Sequence, residues 1–520
     1  MVMLGTEESS IHRAVHHYNY ICPQITTMKR IAILLLLPLI FITAPSYSTP
    51  DGGNNWEIKI RIKSLPDTTF YLANYYAKNQ YYKDTARSDK KGLIVFSGDK
   101  DIEEGMYSLV MGNRKIFDFF IVEKFISFET DTVNTIKNMV VKGSRENELF
   151  FQYVRFLQTK EEQVKPLQEK ASAGNEKERK AAQEELAKLD KEVFDYQKTF
   201  YENNKEYFVP RFVYSMKEIE VPDPPKDENG NVTDSLFQYR YFREHYFDYI
   251  DFTDARYLRT PSYHQKLSAY IQKYTYQIPD SLYKAIDFVV NKSRANEELF
   301  RYTVSWITNT YEKSKIMGMD AIFVHMAEKY YLTDDVDWVD STQKRKIQEQ
   351  YTKLNPLLIG KVAPNIVLAD TAQKEWFNLH KIVAPYTLVY IWSPTCGHCK
   401  KVTPKMYKVY EKYKDYGFKV FAVGTEYENI EWKKYIRDHN LDWINVSDSP
   451  EFPNNIKDYP LNFRVNYDVF STPKIYLLDK DKKIVAKRIE DEQIDDFLAR
   501  AFGLKTGGTE KQMEVHPDME

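Results

Sequence analysis

Two cysteines separated by two residues, Cys396 and Cys399, are the residues whose type and spacing most directly predict chemistry in this chain. They follow an apolar run over residues 386–392 and precede a lysine-rich amphipathic segment over residues 400–416, which is the order strand, Cys-x-x-Cys, helix. Two thiols at this spacing can interconvert between a dithiol and a disulfide, and the unpaired N–H groups at a helix N-terminus favour the thiolate. We therefore expect Cys396 to be the exposed nucleophile and Cys399, one turn into the helix, to resolve the mixed disulfide.

The two residues between the cysteines, Gly397 and His398, are expected to tune the redox reaction. A histidine can be cationic near neutral pH, and a cation beside Cys396 would stabilise its thiolate further. Three other interpretations remain open: a structural disulfide without turnover, a zinc site, and a degenerate domain kept for binding. Zinc requires four ligands, and the chain has 3 cysteines, so no second pair exists and no metal site is predicted. The only expected redox group is the Cys396–Cys399 disulfide, with no other cofactor.

Residues 360–503 resemble the thioredoxin superfamily, specifically the TlpA/ResA-like thiol-disulfide oxidoreductases. The resemblance rests on Trp392 before the cysteine pair, Pro404 within the following helix, and Ser471-Thr472-Pro473 further along the chain. It implies an α/β thioredoxin-like fold, in which Pro473 is the cis-proline that faces the disulfide. It also implies that the backbone at Thr472 pairs with an extended substrate strand, and that Trp392 forms the floor of the site and contacts the substrate.

The resemblance is incomplete at two positions where the family carries acids. Tyr390 stands six residues before Cys396, where thioredoxins keep a buried acid, and Val402 stands where ResA-like reductases often keep a glutamate. Both usual proton acceptors for the buried second thiol are therefore missing. Glu426, at the end of a predicted strand, or a bound water could replace them.

The pattern of the remaining chain predicts a multidomain protein with three folded parts. Strict alternation over residues 56–62 predicts a strand with one buried face, and it opens a β-rich region that we interpret as a small antiparallel β domain. From Ser144 the pattern becomes helical. The predicted domains are a β-rich domain (49–142), an all-α region (143–355), a thioredoxin-like domain (356–503), which begins with a linker over 356–364, and a disordered tail (504–520). This order is similar to that of multidomain periplasmic proteins of Bacteroidetes-type bacteria.

The N-terminal residues predict secretion. Met28, Lys29 and Arg30 form a short positive region, residues 31–44 are apolar but short for a membrane span, and small residues precede Thr49. We interpret residues 28–48 as a signal peptide and residues 1–27 as an upstream extension. The predicted location is the periplasm or cell envelope, and the alternative is a chain anchored to the inner membrane by an uncleaved segment.

The charge balance excludes one class of partner. The net charge is −2, so there is no basic excess for nucleic acid binding. The expected function is a secreted thiol-disulfide oxidoreductase that exchanges disulfides with protein thiols and is recycled by an unidentified redox partner. The alternative function is an extracytoplasmic binding or scaffold protein that uses the thioredoxin fold as a docking module.

Overall fold

The computed structural model of the chain describes residues 55–372, 374–426, 430–448 and 462–504. The predicted extension (1–27), signal peptide (28–48) and most of the predicted tail (505–520) lie outside these residues. No helix within the described ranges is long and apolar enough to span a membrane. The described chain divides into two compact units. The first contains the residues up to Thr275 together with Val289–Phe300, and the second contains Tyr276–Phe288 and the residues from Arg301 onward.

The first unit begins with eight β-strands in two four-stranded sheets, with strand orders β4-β1-β7-β8 and β3-β2-β5-β6. All pairs are antiparallel except β1 with β7, which is parallel. The alternation predicted for β1 is confirmed, because Ile58, Ile60 and Ile62 are buried and the residues between them are not. The strands are β1 Trp56–Lys63, β2 Thr69–Tyr76, β3 Asn79–Arg87, β4 Leu93–Gly98, β5 Gly105–Met111, β6 Arg114–Ile121, β7 Phe125–Asp131 and β8 Val140–Lys142.

The central part of the chain is helical, as predicted. Its first two helices form a long hairpin whose turn is at Gly174 and Asn175, and the Asn175 side chain caps the second helix by accepting a hydrogen bond from the Glu178 N–H. The helices are α1 Arg145–Ala173, α2 Glu176–Asn204, α3 Phe208–Ser215, α4 Phe237–His245, α5 Ser262–Gln272, α6 Pro279–Ser293, α7 Glu297–Glu312, α8 Asp320–Met326 and α9 Ser341–Leu354.

The C-terminal part of the second unit is a seven-stranded sheet with helices on both faces, in the strand order β10-β9-β13-β12-β11-β14-β15. Strand β11 is interior, parallel to β12 and antiparallel to β14. Its two faces are buried in separate apolar cores, so its C-terminal end is held firmly where the cysteine pair follows. The strands are β9 Val367–Asp370, β10 Trp376–Asn378, β11 Tyr386–Trp392, β12 Lys419–Gly424, β13 Ile444–Ser447, β14 Lys474–Asp479 and β15 Ile484–Lys487, and the helices are α10 Gly397–Tyr413, α11 Ile430–Asp438, α12 Phe463–Asn466 and α13 Asp491–Ala501.

The segment 356–364, predicted to be a linker, is packed against this sheet, so that interpretation is wrong. The Gly360 N–H donates to the Ile484 carbonyl at 2.8 Å, and the Ile484 N–H donates to the Lys361 carbonyl at 2.8 Å. Leu357 and Ala363 are buried in the core on one face of the sheet. The segment therefore covers β15, which would otherwise be an open sheet edge.

A buried ion pair joins the helical segment of the second unit to the same edge. The Lys487 ammonium on β15 lies 2.5 Å from the Asp320 carboxylate on α8 and donates to the Leu357 carbonyl at 2.5 Å. Both charged residues are buried. Desolvation lowers the pKa of Lys487, and the neighbouring carboxylate opposes that shift. Because an unpaired buried charge is costly, each partner depends on the other.

We expect Asp320→Ala to destabilise the protein by about 3–5 kcal/mol, because it leaves the Lys487 ammonium buried without its counter-ion. Urea unfolding of the full chain measures the effect. The control is Lys353→Ala, which breaks an exposed pair with Asp468 (3.6 Å) and should cost less than about 1 kcal/mol. The double variant Asp320→Leu/Lys487→Met should recover most of the lost stability. An unfolding midpoint of Asp320→Ala equal to that of the wild type would contradict this account.

Candidate functional site

Cys396 lies where the interior strand β11 passes into helix α10, at the N-cap position of that helix. The Cys399 N–H donates to the Cys396 sulfur at 3.5 Å, and the Lys400 N–H donates to the Cys396 carbonyl at 3.1 Å. The first-turn N–H groups of a helix have no intrahelical partner, so they are free to bind a negative sulfur. The predicted order of strand, cysteine pair and helix is therefore present.

The two thiols differ in their surroundings. Both are free, and Cys396 is partly exposed whereas Cys399 is completely buried. Burial alone would raise the pKa of Cys396, but hydrogen bonds from the Cys399 N–H, the Thr472 side chain and the His398 N–H outweigh it and lower the pKa below its usual value. Burial raises the pKa of Cys399 to about 11. At neutral pH the thiolate therefore forms preferentially at Cys396.

The loop before β14 faces the nucleophile. The Thr472–Pro473 peptide bond is cis, and the Cys396 thiol donates to the Thr472 carbonyl at 3.3 Å. The structure thus brings Thr472 and Cys396 into direct contact, with Pro473 next in the chain. His398 and Gly397 are exposed beside the sulfur.

Trp392 is wholly buried, so its side chain is not exposed for the substrate contact that the sequence interpretation expected. Its exposure is 0%, because its ring stacks on Tyr390 at 6.1 Å between centroids and meets Tyr435 edge-on at 5.3 Å. An aromatic side chain just before a cysteine pair can be either a surface or a core residue. Here it lies in the core beneath the site, where it supports the end of β11.

The positions of the two missing acids are filled by groups that do not carry a negative charge. The Tyr390 hydroxyl is hydrogen bonded to the Thr403 hydroxyl at 2.8 Å, and Thr403 donates to the Cys399 carbonyl at 2.8 Å. Burial raises the pKa of Tyr390 well above its usual value, so the phenol stays protonated. Val402 packs against the apolar core. Neither side chain can accept a proton from Cys399 at neutral pH.

A cluster of two hydroxyls and a carboxylate holds the loop that precedes Cys396. The Glu426 carboxylate accepts hydrogen bonds from the Ser393 hydroxyl and, at 2.8 Å, from the Thr395 hydroxyl. The Thr395 N–H donates to the Ser393 oxygen at 3.1 Å. Sequence reasoning named Glu426 but missed Ser393 and Thr395. The signal was available, because Glu426 follows β12, and the C-terminal ends of parallel neighbouring strands meet at one sheet edge.

Metal-ligating side chains are scattered in this structure. The described residues contain no group of three or more His, Cys, Asp or Glu side chains arranged to hold a metal ion. His325, one of the histidines in the helical region, is instead hydrogen bonded to Asp287 at 2.8 Å and stacked on Tyr283.

Three family models match successive parts of the chain. The model of the Redoxin family matches residues 358–499, which contain the cysteine pair and the cis-proline loop. Residues 56–150 match a domain of unknown function (DUF4369), and residues 176–355 match another (DUF5106).

Curated relatives match the same C-terminal region. A thiol-disulfide oxidoreductase ResA from Bacillus cereus is 30% identical over 145 residues, which are 27% of this chain and 78% of that protein. ResA of Bacillus thuringiensis subsp. konkukian is 28% identical over 156 residues, which are 29% of this chain and 84% of that protein.

Among solved structures, a domain of a possible thiol-disulfide isomerase from Cytophaga hutchinsonii is 39% identical, with a TM-score of 0.25, and the match covers 28% of this chain and 95% of that one. A thioredoxin-like protein from Bacteroides caccae is 18% identical with a TM-score of 0.41, and the match covers 55% of this chain and 99% of that one. The sequence relatives and the Redoxin match carry the assignment: the chain is multidomain, and through its C-terminal domain it belongs to the thioredoxin-like thiol-disulfide oxidoreductases related to ResA.

Proposed function

We propose that this protein is a secreted thiol-disulfide oxidoreductase that exchanges disulfides with protein substrates through Cys396 and Cys399. The observation that supports this most strongly is the difference between the two thiols. The partly exposed Cys396 has a lowered pKa, whereas burial raises the pKa of Cys399 to about 11. One thiol is suited to attack from solution and the other to wait for an intramolecular step.

In the direction of substrate reduction, the Cys396 thiolate attacks one sulfur of the substrate disulfide. The substrate S–S bond breaks, its second sulfur leaves as a thiolate, and a disulfide forms between Cys396 and the substrate. Cys399 then loses its proton and attacks the Cys396 sulfur. The mixed disulfide breaks, the substrate leaves fully reduced, and the protein retains a Cys396–Cys399 disulfide. Oxidation of a substrate is the same sequence in reverse, and a second redox partner returns the pair to its starting state.

The proton of Cys399 needs an acceptor other than the usual buried acid. Tyr390 is protonated at neutral pH, because burial raises its pKa. Glu426 is the carboxylate of the site, and it reaches the active-site loop through the hydroxyls of Ser393 and Thr395. We therefore infer that the proton leaves toward Glu426 or a water beside it. Glu426→Gln should then slow the step in which Cys399 resolves the mixed disulfide and releases the substrate. Release at the wild-type rate would exclude this route.

The cis-proline loop completes the reaction geometry. Thr472 presents its backbone beside Cys396, at 3.3 Å from its carbonyl oxygen to the sulfur. An extended substrate segment can pair with such a backbone by main-chain hydrogen bonds, which makes recognition tolerant of sequence. The exchange needs no cofactor besides the cysteine pair.

We expect Cys396→Ser to abolish reduction of a model protein disulfide such as that of insulin, because the attacking thiolate is gone. Cys399→Ser should still attack but cannot resolve, so it should accumulate mixed disulfides that reductant releases. Non-reducing electrophoresis and mass spectrometry identify the linked cysteine. If Cys396→Ser remains active, or if that variant accumulates substrate adducts through Cys399, the roles assigned here are wrong.

His398→Pro should lower the reduction potential of the pair by about tens of millivolts. The change removes the imidazole and also the backbone N–H that stabilises the Cys396 thiolate, since proline has no N–H. A less stable thiolate means a less stable reduced form. His398→Ala keeps the N–H and should lower the potential by a smaller amount. Equilibration of the variants with glutathione measures this, and equal shifts in the two variants would show that the backbone donor is unimportant.

Export is expected to begin at Met28. The charged and then apolar segment that follows it is typical of a secretory signal, and disulfide substrates for thiol exchange form mainly outside the cytoplasm. N-terminal sequencing of the protein from its native envelope should find a mature terminus near Thr49. Recovery of a mature chain that still contains residues 1–27 would contradict this.

A further inference from the structure

An almost completely exposed aromatic residue precedes by two positions the residue that contacts the nucleophile. Phe470 is 95% exposed, which is unusual for a side chain of this size and hydrophobicity. It precedes Thr472 by two residues, and the Thr472 carbonyl is 3.3 Å from the Cys396 sulfur. Two residues of extended chain span at most about 7 Å, so the Phe470 backbone lies close to the reacting sulfur.

The exposure of Phe470 comes from a fixed backbone. The Phe470 N–H donates to the Asp468 carbonyl at 2.9 Å, and the Val469 N–H donates to the Arg464 carbonyl at 2.8 Å. Arg464 is itself held by Asp448 at 2.9 Å and by the Thr425 carbonyl at 3.0 Å. Val469 packs into the core while its neighbour Phe470 points to solvent. The segment therefore holds the backbone that carries the ring in a defined position.

We propose that Phe470 is a specificity-determining residue, which packs against an apolar side chain of an extended polypeptide substrate within two or three residues of the substrate's reacting cysteine. This inference rests on the proposed function, because it assumes that Cys396 attacks protein disulfides. Packing of a rigid aromatic ring buries apolar area on both partners and costs little side-chain entropy. Main-chain pairing at Thr472 would supply affinity, and Phe470 would supply the preference among sequences.

An extended polypeptide fits this surface better than a second copy of the chain. Lys400 and Lys401 follow the cysteine pair and are exposed, and neither forms an ion pair with any residue that the structure describes. A two-fold contact centred on Cys396 and Phe470 would bring these cations toward their own copies, and like charges in an interface are unfavourable. A single extended strand carries no such penalty.

Two synthetic peptides of equal length and charge provide the probe. Each has one cysteine joined in a disulfide to thionitrobenzoate, and they differ only in a leucine or a serine two residues from that cysteine. Attack by the Cys396 thiolate on the peptide sulfur breaks this disulfide and releases coloured thionitrobenzoate. Cys399 then displaces the peptide thiol, so that the protein finishes with the Cys396–Cys399 disulfide.

With the reduced full-length protein in a Cys22→Ser background, we expect the second-order rate constant for the leucine peptide to be about tenfold larger than for the serine peptide, which corresponds to about 1.4 kcal/mol. Phe470→Ser should reduce this ratio to less than about twofold, and Phe470→Leu should keep most of it. Val383→Ser is the matched control. Val383 is 94% exposed but precedes the start of β11, at the opposite end of that strand from Cys396, so its substitution should leave the ratio unchanged.

The outcomes separate this inference from the proposed function. If Cys396→Ser releases thionitrobenzoate as fast as the wild type, the proposed function fails. If Cys396 is required but the wild type reacts equally with both peptides, or Phe470→Ser keeps the tenfold ratio, the role of Phe470 fails. A dimer by light scattering that Phe470→Ser dissociates, with the peptide ratio unchanged, would mean that the ring covers a second copy and would also overturn the inference.

Discussion

The hydrogen bond from the backbone of helix α10 to the Cys396 sulfur is the interaction on which the chemistry depends. It requires that Cys396 be the N-cap residue, so that the Cys399 N–H points at the sulfur. The same helical turn carries the Cys399 side chain into the core, where burial raises its pKa to about 11. One structural element thus stabilises the charged form of one thiol and opposes that of the other.

The surrounding domain serves to keep this turn in place. Strand β11 is interior and buried on both faces, and the Trp392 and Tyr390 rings stack beneath the active-site loop. Glu426 fixes the loop from the neighbouring strand by binding the Ser393 and Thr395 hydroxyls. Farther away, the buried pair of Lys487 and Asp320 ties the edge of the sheet to the preceding helices of the same unit. Rigidity at the site is therefore distributed over several elements.

Several features of the fold are encoded in local patterns of the sequence, whereas others depend on long-range contacts. Strict alternation identified β1, and the Cys-x-x-Cys context identified the strand and the helix that flank it, because these signals are local. The thioredoxin-like fold was implied by the family resemblance, which rests on several motifs spread along the chain. Within the predicted β-rich and all-α regions, strand β3 and helix α9 carry little periodic signal of their own, since β3 has no buried residue and only Leu354 is buried in α9. The pattern also could not tell a linker from the segment 356–364, whose contacts with β15 are long-range.

At the site, residue types predicted the two cysteines, and the family resemblance implied the loop at Thr472 and Pro473. The roles of the other residues depend on their neighbours in three dimensions. Trp392 is a large aromatic residue close to the cysteine pair, as a substrate-contacting residue would be, but its side chain is wholly buried. Ser393 and Thr395 carry no motif, and only their contact with Glu426 gives them a role. Phe470 looks like an ordinary core residue in the sequence, and it is distinguished only by its 95% exposure in the loop whose Thr472 contacts Cys396.

A direct titration of the two thiolates by ultraviolet absorbance tests the central claim most sharply. In a chain whose Cys22 is also replaced by serine, the reduced Cys399→Ser and Cys396→Ser proteins each retain one thiol, so each titration belongs to a single sulfur. This account predicts that the thiol of Cys396 ionises below the usual cysteine pKa, and that the thiol of Cys399 ionises far above it. Equal pKa values in the two variants, or a lower value for Cys399, would contradict the assignment of nucleophile and resolving thiol.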